Sequence, residues 1–233
     1  MSQISITILL ASAFLSLFAV GEVLYHFLHV KAEYTRKLIH FGTGVLTILF
    51  PVFLHNHWYV LFLCGSFAVI LTLSLRFSFL KSINAIDRKS HGSISYPAAV
   101  YLTYLAYYYN ISGNHQDMRS YLIPVMTLAV CDPVAALVGK RFPWKPYQAG
   151  EGQKTVSGSL AFMVSSFLLC FSIISFNSDA RLNNDLIVSF TLALVTGITE
   201  AFSRKGLDNI FIPVTSIITL WIFSHYTIMY SFD

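Results

Sequence analysis

Apolar residues run in eight blocks along the 233-residue chain: 4–25, 38–55, 58–75, 94–110, 120–139, 156–176, 186–202 and 210–230. A bilayer crossing takes about 20 mostly apolar residues, so each block predicts a transmembrane helix. The fourth, short and rich in Tyr, fits least well. No long linker, low-complexity tract or internal repeat interrupts the series. Residues 1–233 therefore read as one integral membrane domain, all-α and polytopic, with about eight transmembrane helices.

The charges between the blocks test that count. Lys31, Arg36 and Lys37 follow the first block; Arg76, Lys81, Arg88 and Lys89 follow the third. Lys140, Arg141, Lys145 and Lys154 follow the fifth, and Arg204 and Lys205 the seventh. Of the chain's 15 Lys and Arg, only Arg119 and Arg181 fall in even-numbered connections. Cytoplasmic loops carry the excess of basic residues, so the alternation predicts both termini outside. Losing one span would break it.

Composition agrees. The chain is 55% hydrophobic and 11% charged, with mean hydropathy +0.64, against about 25% charged in a soluble domain. The net charge of +4 is carried by short loops, where topology and anionic lipid account for it, so no nucleic-acid partner is implied. The start, MSQISITILLASAF, has no basic n-region and predicts a retained first span, not a cleaved signal. Cys64, Cys131 and Cys170 have neither zinc nor disulfide spacing. Trp58, Tyr59, Tyr107, Tyr108, Tyr109, Tyr121, Tyr226 and Tyr230 fall at outer span ends, the place of an interfacial aromatic belt.

An acid inside a membrane span is a functional hypothesis by default. Asp132 stands ~12 Å, at helical rise, before the cytoplasmic end of the fifth span, and Glu200 ~6 Å before Arg204. Asp208 and Asn209 open the eighth. The three acids share one depth, just beneath the cytoplasmic face. Each either pairs with a nearby Lys or Arg or serves as an oxygen ligand for Mg²⁺, which takes one or two carboxylates plus substrate phosphates. Asp208 has a third reading, as a favourable charge at a helix N-terminus. Glu22 reads as structural.

Between these acids runs GEGQKTVSGS. Gly150, Gly152 and Gly158 permit close backbone approach, Lys154 supplies a point charge, and Thr155 and Ser157 supply hydroxyls. The sixth span starts here, with free N–H groups and a positive dipole end. Gln153 stands where a Walker A loop needs Gly, so this is not a P-loop. RKLIH places Arg36 and His40 on one helix face. His40 reads as a satisfied interhelical histidine or as a site residue. DRKSHGSISYP, 87–97, faces the same side; its His91 is a weaker candidate. His26, His29, His55, His57, His115 and His225 show no ligand spacing. Acids, cations and hydroxyls on one face imply a membrane enzyme that handles phosphates.

RKLIH, DPVAALVGKRF, KTVSGS and TEAFSRKGLDNIFIP, in this order, resemble the CTP-dependent prenol kinases, which phosphorylate phytol, farnesol or dolichol, and a related CTP-dependent diacylglycerol kinase. The resemblance spans roughly residues 36–215. Phosphatidate cytidylyltransferases share part of the pattern but carry a longer C-terminal signature with Lys-Asp and Pro-Gly-His, absent from EAFSRKGLDNIFIP. Ser157 stands where many relatives have Glu, and Pro143 where they have Gly.

The resemblance implies phosphoryl transfer from CTP to an isoprenoid alcohol at the cytoplasmic face of a bacterial inner membrane or its equivalent. Asp132 and Asp208 would hold Mg²⁺ with Asn209 assisting, and Lys154, Thr155, Ser157 and Gly158 would bind phosphate. Lys140 and Arg141 would neutralise developing charge, with Arg36 and His40 as further nucleotide contacts. Glu200 would act as base or as a third metal ligand. The expected partners are membrane lipids, the lipid alcohol and CTP; a homodimer is left open. The alternatives are a cytidylyltransferase, a diacylglycerol kinase or, least favoured, a transporter, whose site would lie near the midplane at a repeat.

Overall fold

The computed structural model describes residues 2–85, 92–111, 117–149, 152–176, 182–204 and 206–226. The helices are α1 Gln3–His26, α2 Ala32–Thr47, α3 Leu49–Phe53, α4 His57–Phe77, α5 Lys81–Asn84, α6 Gly92–Tyr108, α7 Met118–Met126, α8 Asp132–Arg141, α9 Val156–Ser175, α10 Leu182–Phe202 and α11 Asp208–Tyr226. A π-helical turn, Thr127–Cys131, joins α7 to α8. Among the described residues six helical segments are long and apolar enough to cross a membrane: Gln3–His26, Ala32–Phe53, His57–Phe77, Met118–Arg141, Val156–Ser175 and Leu182–Phe202. The protein is an integral membrane protein. α6 and α11 stand at the fourth and eighth expected spans; α6 has only 17 residues.

The all-α expectation needs one addition. The loop after α8 folds into an antiparallel hairpin, β1 Pro146–Ala149 and β2 Gly152–Thr155, in the register Tyr147↔Lys154 and Gln148↔Gln153. Gly150 and His91 lie outside the described residues. So do Arg88, Lys89, Arg181 and Lys205, four of the basic residues that marked the loops.

Two prolines shape the interior. Pro51 has no N–H, so it leaves the carbonyl of Thr47 without its helical partner. α2 ends there, and the Tyr121 hydroxyl donates to that carbonyl at 2.9 Å. Tyr121 is thus fully buried and not part of an outer belt; Tyr104 and Tyr107 pack edge-on and tilted against its ring. Trp58 and Tyr109 do stay exposed. Pro133 likewise brings no N–H to the turn before it. Inside the π-helical turn, the carbonyl of Leu128 accepts a hydrogen bond from His40 Nε2 at 3.1 Å.

Small residues set the helix crossings, as is usual in bilayers. A Cβ on Gly44 of α2 would stand 2.1 Å from the Ala129 Cβ in the π-helical turn. Gly139 of α8 and Gly158 of α9 face each other: a Cβ on Gly158 would meet the Ala135 carbonyl oxygen at 2.9 Å. Phe14, Phe18, Phe50 and Phe67 form an aromatic core between α1, α3 and α4. Outward residues such as Ile8, Val164 and Phe190 are exposed and face the apolar solvent a membrane supplies.

Candidate active site

α2, α8, β2 and α11 bring their polar ends to one cavity of about 140 Å³. α2 begins at Ala32, six residues before the expected span, so Arg36 and Lys37 lie on the helix rather than in a loop. Lys37 and His40, three apart, share a face and point toward α8. There Lys37 Nζ meets Asp132 Oδ2 at 2.5 Å, with both side chains nearly buried. His40 Nε2 is 3.8 Å from the same oxygen. Since its bond to the Leu128 carbonyl requires a donor, Nε2 carries the proton. The Tyr96 ring packs against the His40 ring, and its hydroxyl donates to the His40 carbonyl at 3.2 Å.

Lys154, on β2, closes the other side. Its ammonium donates to the carbonyl oxygen of Glu200, lies 2.7 Å from Glu200 Oε1 and 3.9 Å from Asp208 Oδ2. Ser159 donates to Glu200 Oε2 at 3.1 Å, and the Tyr147 hydroxyl is 2.7 Å from Ser159. Both oxygens of Glu200 are thus engaged, and Glu200 does not border the cavity. Asn209 Nδ2 donates to the Gly92 carbonyl at 2.7 Å and Ser95 to the Gly206 carbonyl at 3.0 Å. These two bonds fasten the start of α6 to the start of α11.

The structure therefore brings together Arg36, His40, Asp132, Lys154, Asp208 and Asn209, all cavity-lining. It sets others elsewhere. Lys140 is half exposed and paired with Glu33; Arg141 lies over the Phe142 ring, 5.9 Å from its centroid. Thr155 caps α9, accepting from the Gly158 N–H at 3.1 Å, and the Val156 N–H bonds the Lys145 carbonyl at 3.2 Å. Two N–H groups expected to be open to a phosphate are thus taken within the protein. Ser157 donates to the Phe142 carbonyl and lies 3.1 Å from Thr155 Oγ1, and Gly158 serves the α8–α9 crossing. Neither Thr155, Ser157 nor Gly158 lines the cavity.

Lys37, Tyr96, Gln153, Ser203 and Arg204 line it without having been singled out. For Lys37 the available signal was its three-residue spacing from His40. Among the described residues no three His, Cys, Asp or Glu side chains cluster as a metal cage. Two carboxylates, Asp132 and Asp208, do border one cavity, which is the donor set Mg²⁺ takes when substrate phosphates complete its shell. The described ionic lining is Arg36, Lys37, Lys154 and Arg204 against those two acids. That surplus of positive charge favours an anionic ligand.

Membrane-crossing helices that enclose a charged, cation-rich cavity define an integral membrane protein with a candidate ligand site. The chain is 30% identical over 194 residues to phytol kinase of Synechocystis sp. (strain ATCC 27184 / PCC 6803 / Kazusa), covering 82% of this chain and 79% of that one. It is 28% identical over 222 residues to dolichol kinase of Saccharomyces cerevisiae (strain ATCC 204508 / S288c), covering 91% of this chain and 41% of that longer protein. No family model matches the chain, and no solved structure matches it. The chain belongs to the prenol kinase family that includes phytol kinase and dolichol kinase.

Proposed function

We propose that this protein is a lipid-alcohol kinase that transfers the γ-phosphoryl group of CTP to the hydroxyl of an isoprenoid alcohol. It does so at the cytoplasmic face of an eight-span bundle with both ends outside. The observation that carries the reading is the cavity where Lys37–Asp132 and Lys154–Asp208 meet. Phosphoryl transfer through a loose transition state asks mainly for positioning and charge stabilisation, and those residue types supply both. The kinase names of the two relatives support the reaction class.

In this reading Lys37, Lys154, Arg36 and Arg204 bind the nucleotide phosphates. Asp132 and Asp208 would hold Mg²⁺ with Asn209 beside them, and its charge would serve to neutralise phosphate oxygens. As the phosphates arrive, Lys37 leaves Asp132, and Lys154, still held by Glu200, gives up its longer contact with Asp208, so that cations turn to the substrate and the two cavity acids become free to bind metal. Glu200, outside the cavity with both oxygens engaged, is a positioning residue for Lys154 and not a base. Tyr147 and Ser159 hold Glu200 in turn. The Lys and Arg distribution supports the cytoplasmic placement of this end.

The test uses purified protein in detergent with Mg²⁺, γ-labelled CTP and a panel of acceptors: phytol, geranylgeraniol, farnesol, a polyprenol, diacylglycerol and phosphatidate. Label in a lipid monophosphate with release of CDP is expected, with Lys154→Ala greatly slowed. Label in pyrophosphate, with CMP joined to phosphatidate, would overturn the reading. So would full turnover by Lys154→Ala.

A further inference from the structure

The cavity has a second kind of wall. Besides the charged groups it is lined by Phe18 of α1, Ile39 of α2, Leu71 of α4 and Ile83 of α5. Their residual exposure is only 4–7%, yet all four border the cavity, so what surface they keep is turned toward the ligand space. None offers a hydrogen bond. The two walls join on one turn of α2, where Ile39 stands between Lys37 and His40. A molecule filling the cavity thus meets hydrocarbon as well as charge.

Ile83 reaches this wall because α5 is pinned there. Left-handed backbone at Ser78 (φ 55°) and Leu80 (φ 53°) turns the chain sharply after α4. Glu22 Oε1 then accepts from the Ser82 N–H at 2.9 Å, Thr35 donates to the Ser82 carbonyl at 2.6 Å, and Asn84 Nδ2 donates to Ser74 Oγ at 2.8 Å. Non-glycine residues at positive φ are uncommon. Here two of them and three anchors serve a helix of four residues.

We propose that Phe18, Leu71 and Ile83 seat the isoprene units next to the alcohol's hydroxyl, and so select the acceptor's chain. This rests on the kinase reading given above. The wall suits a branched hydrocarbon, because its surface is aliphatic and aromatic and leaves no polar group to be satisfied. It does not suit the cytosine ring, whose polar edge would find no partner on these side chains.

Two measurements decide. A photoreactive diazirine analogue of farnesol is crosslinked to the full-length protein in detergent and the adducts are mapped. Adducts on α1, α4 and α5 at the wall, competed by geranylgeraniol but not by CTP, are expected. Competition by CTP alone would give the wall to the nucleotide and overturn the proposal. So would competition by diacylglycerol alone, or adducts spread over lipid-facing positions such as Leu168. Second, Leu71→Phe and Ile83→Phe should each lower kcat/KM for geranylgeraniol about tenfold or more, with KM for CTP unchanged. Leu71→Ala, which only removes atoms, should shift preference toward bulkier acceptors. Equal losses for all acceptors, or none, would overturn the proposal. Were the wild type to phosphorylate no alcohol while wall adducts still formed, the kinase reading would fall and the lipid seat would stand.

Discussion

Lys37→Met perturbs the contact on which the site most depends. The Lys37 ammonium lies 2.5 Å from Asp132 Oδ2, with side chains 12% and 13% exposed. Removing one partner of a buried ion pair costs about 3–5 kcal/mol, because the remaining charge keeps its desolvation penalty. Asp132 borders the cavity and so has some access to water, which places the cost at the low end, about 3 kcal/mol. In a chain of this size each 1 kcal/mol moves Tm by about 2–4 °C, so a loss of about 6–12 °C is expected. The assay is thermal loss of the folded protein in one detergent at a fixed scan rate, since such unfolding is governed by rate. Pairing Lys37→Met with Asp132→Asn removes both charges and should restore part of the loss, with a coupling of about 1–3 kcal/mol. A Lys37→Met protein melting within about 1 °C of the parent would refute the reasoning. So would a double variant whose loss equals the sum of the single losses.

Gly44→Ala forces a Cβ to 2.1 Å from that of Ala129, so it should cost about 1–3 kcal/mol by overpacking and lower turnover by moving α2 from the π-helical turn. Gly65→Ala, with nothing within 4 Å, should raise Tm slightly in the same assay. Thr155→Ala removes the α9 cap; it should lower stability by about 0.5–2 kcal/mol and weaken nucleotide binding by loosening the neighbouring Lys154. Ser159→Ala frees one oxygen of Glu200. A loss of about 1 kcal/mol should appear as about a fivefold rise in KM for CTP with kcat nearly unchanged, and a change in kcat alone would count against the positioning role.

Six of the expected spans were legible because the bilayer demands long apolar blocks, and each expected block contains helix. The membrane acids were legible too: Asp132 and Asp208 stood out by their setting and do share the cavity. What hydropathy concealed was the polar start of α2. Glu33, Arg36 and Lys37 dilute the apolar signal there, so Lys37 read as a loop cation although helical spacing joined it to His40. The hairpin was hidden because its strands have four residues each and no alternating apolar face. GQKTVSGS read as a phosphate loop for its composition, yet only Gly152, Gln153 and Lys154 of it line the cavity. Its hydroxyls are engaged within the protein: Thr155 caps α9, Ser157 bonds the Phe142 carbonyl and Ser159 bonds Glu200. Tyr121 looked like an interfacial residue because it sits at a span end, and only the vacancy left by Pro51 explains why it turns inward.

That last contact carries a consequence for how the bundle assembles. A carbonyl that has lost its helical donor to a proline cannot turn to water inside the bilayer. The Thr47 carbonyl is therefore answered by Tyr121, and the Leu128 carbonyl in the π-helical turn by His40, each reaching it from a distant part of the chain. Greasy helices in lipid can slide and rotate against one another with little to choose between arrangements. These two sockets penalise every arrangement except the one that fills both. The second also holds the His40 ring beside Asp132, so the same act that selects the docking of α2 completes the cavity.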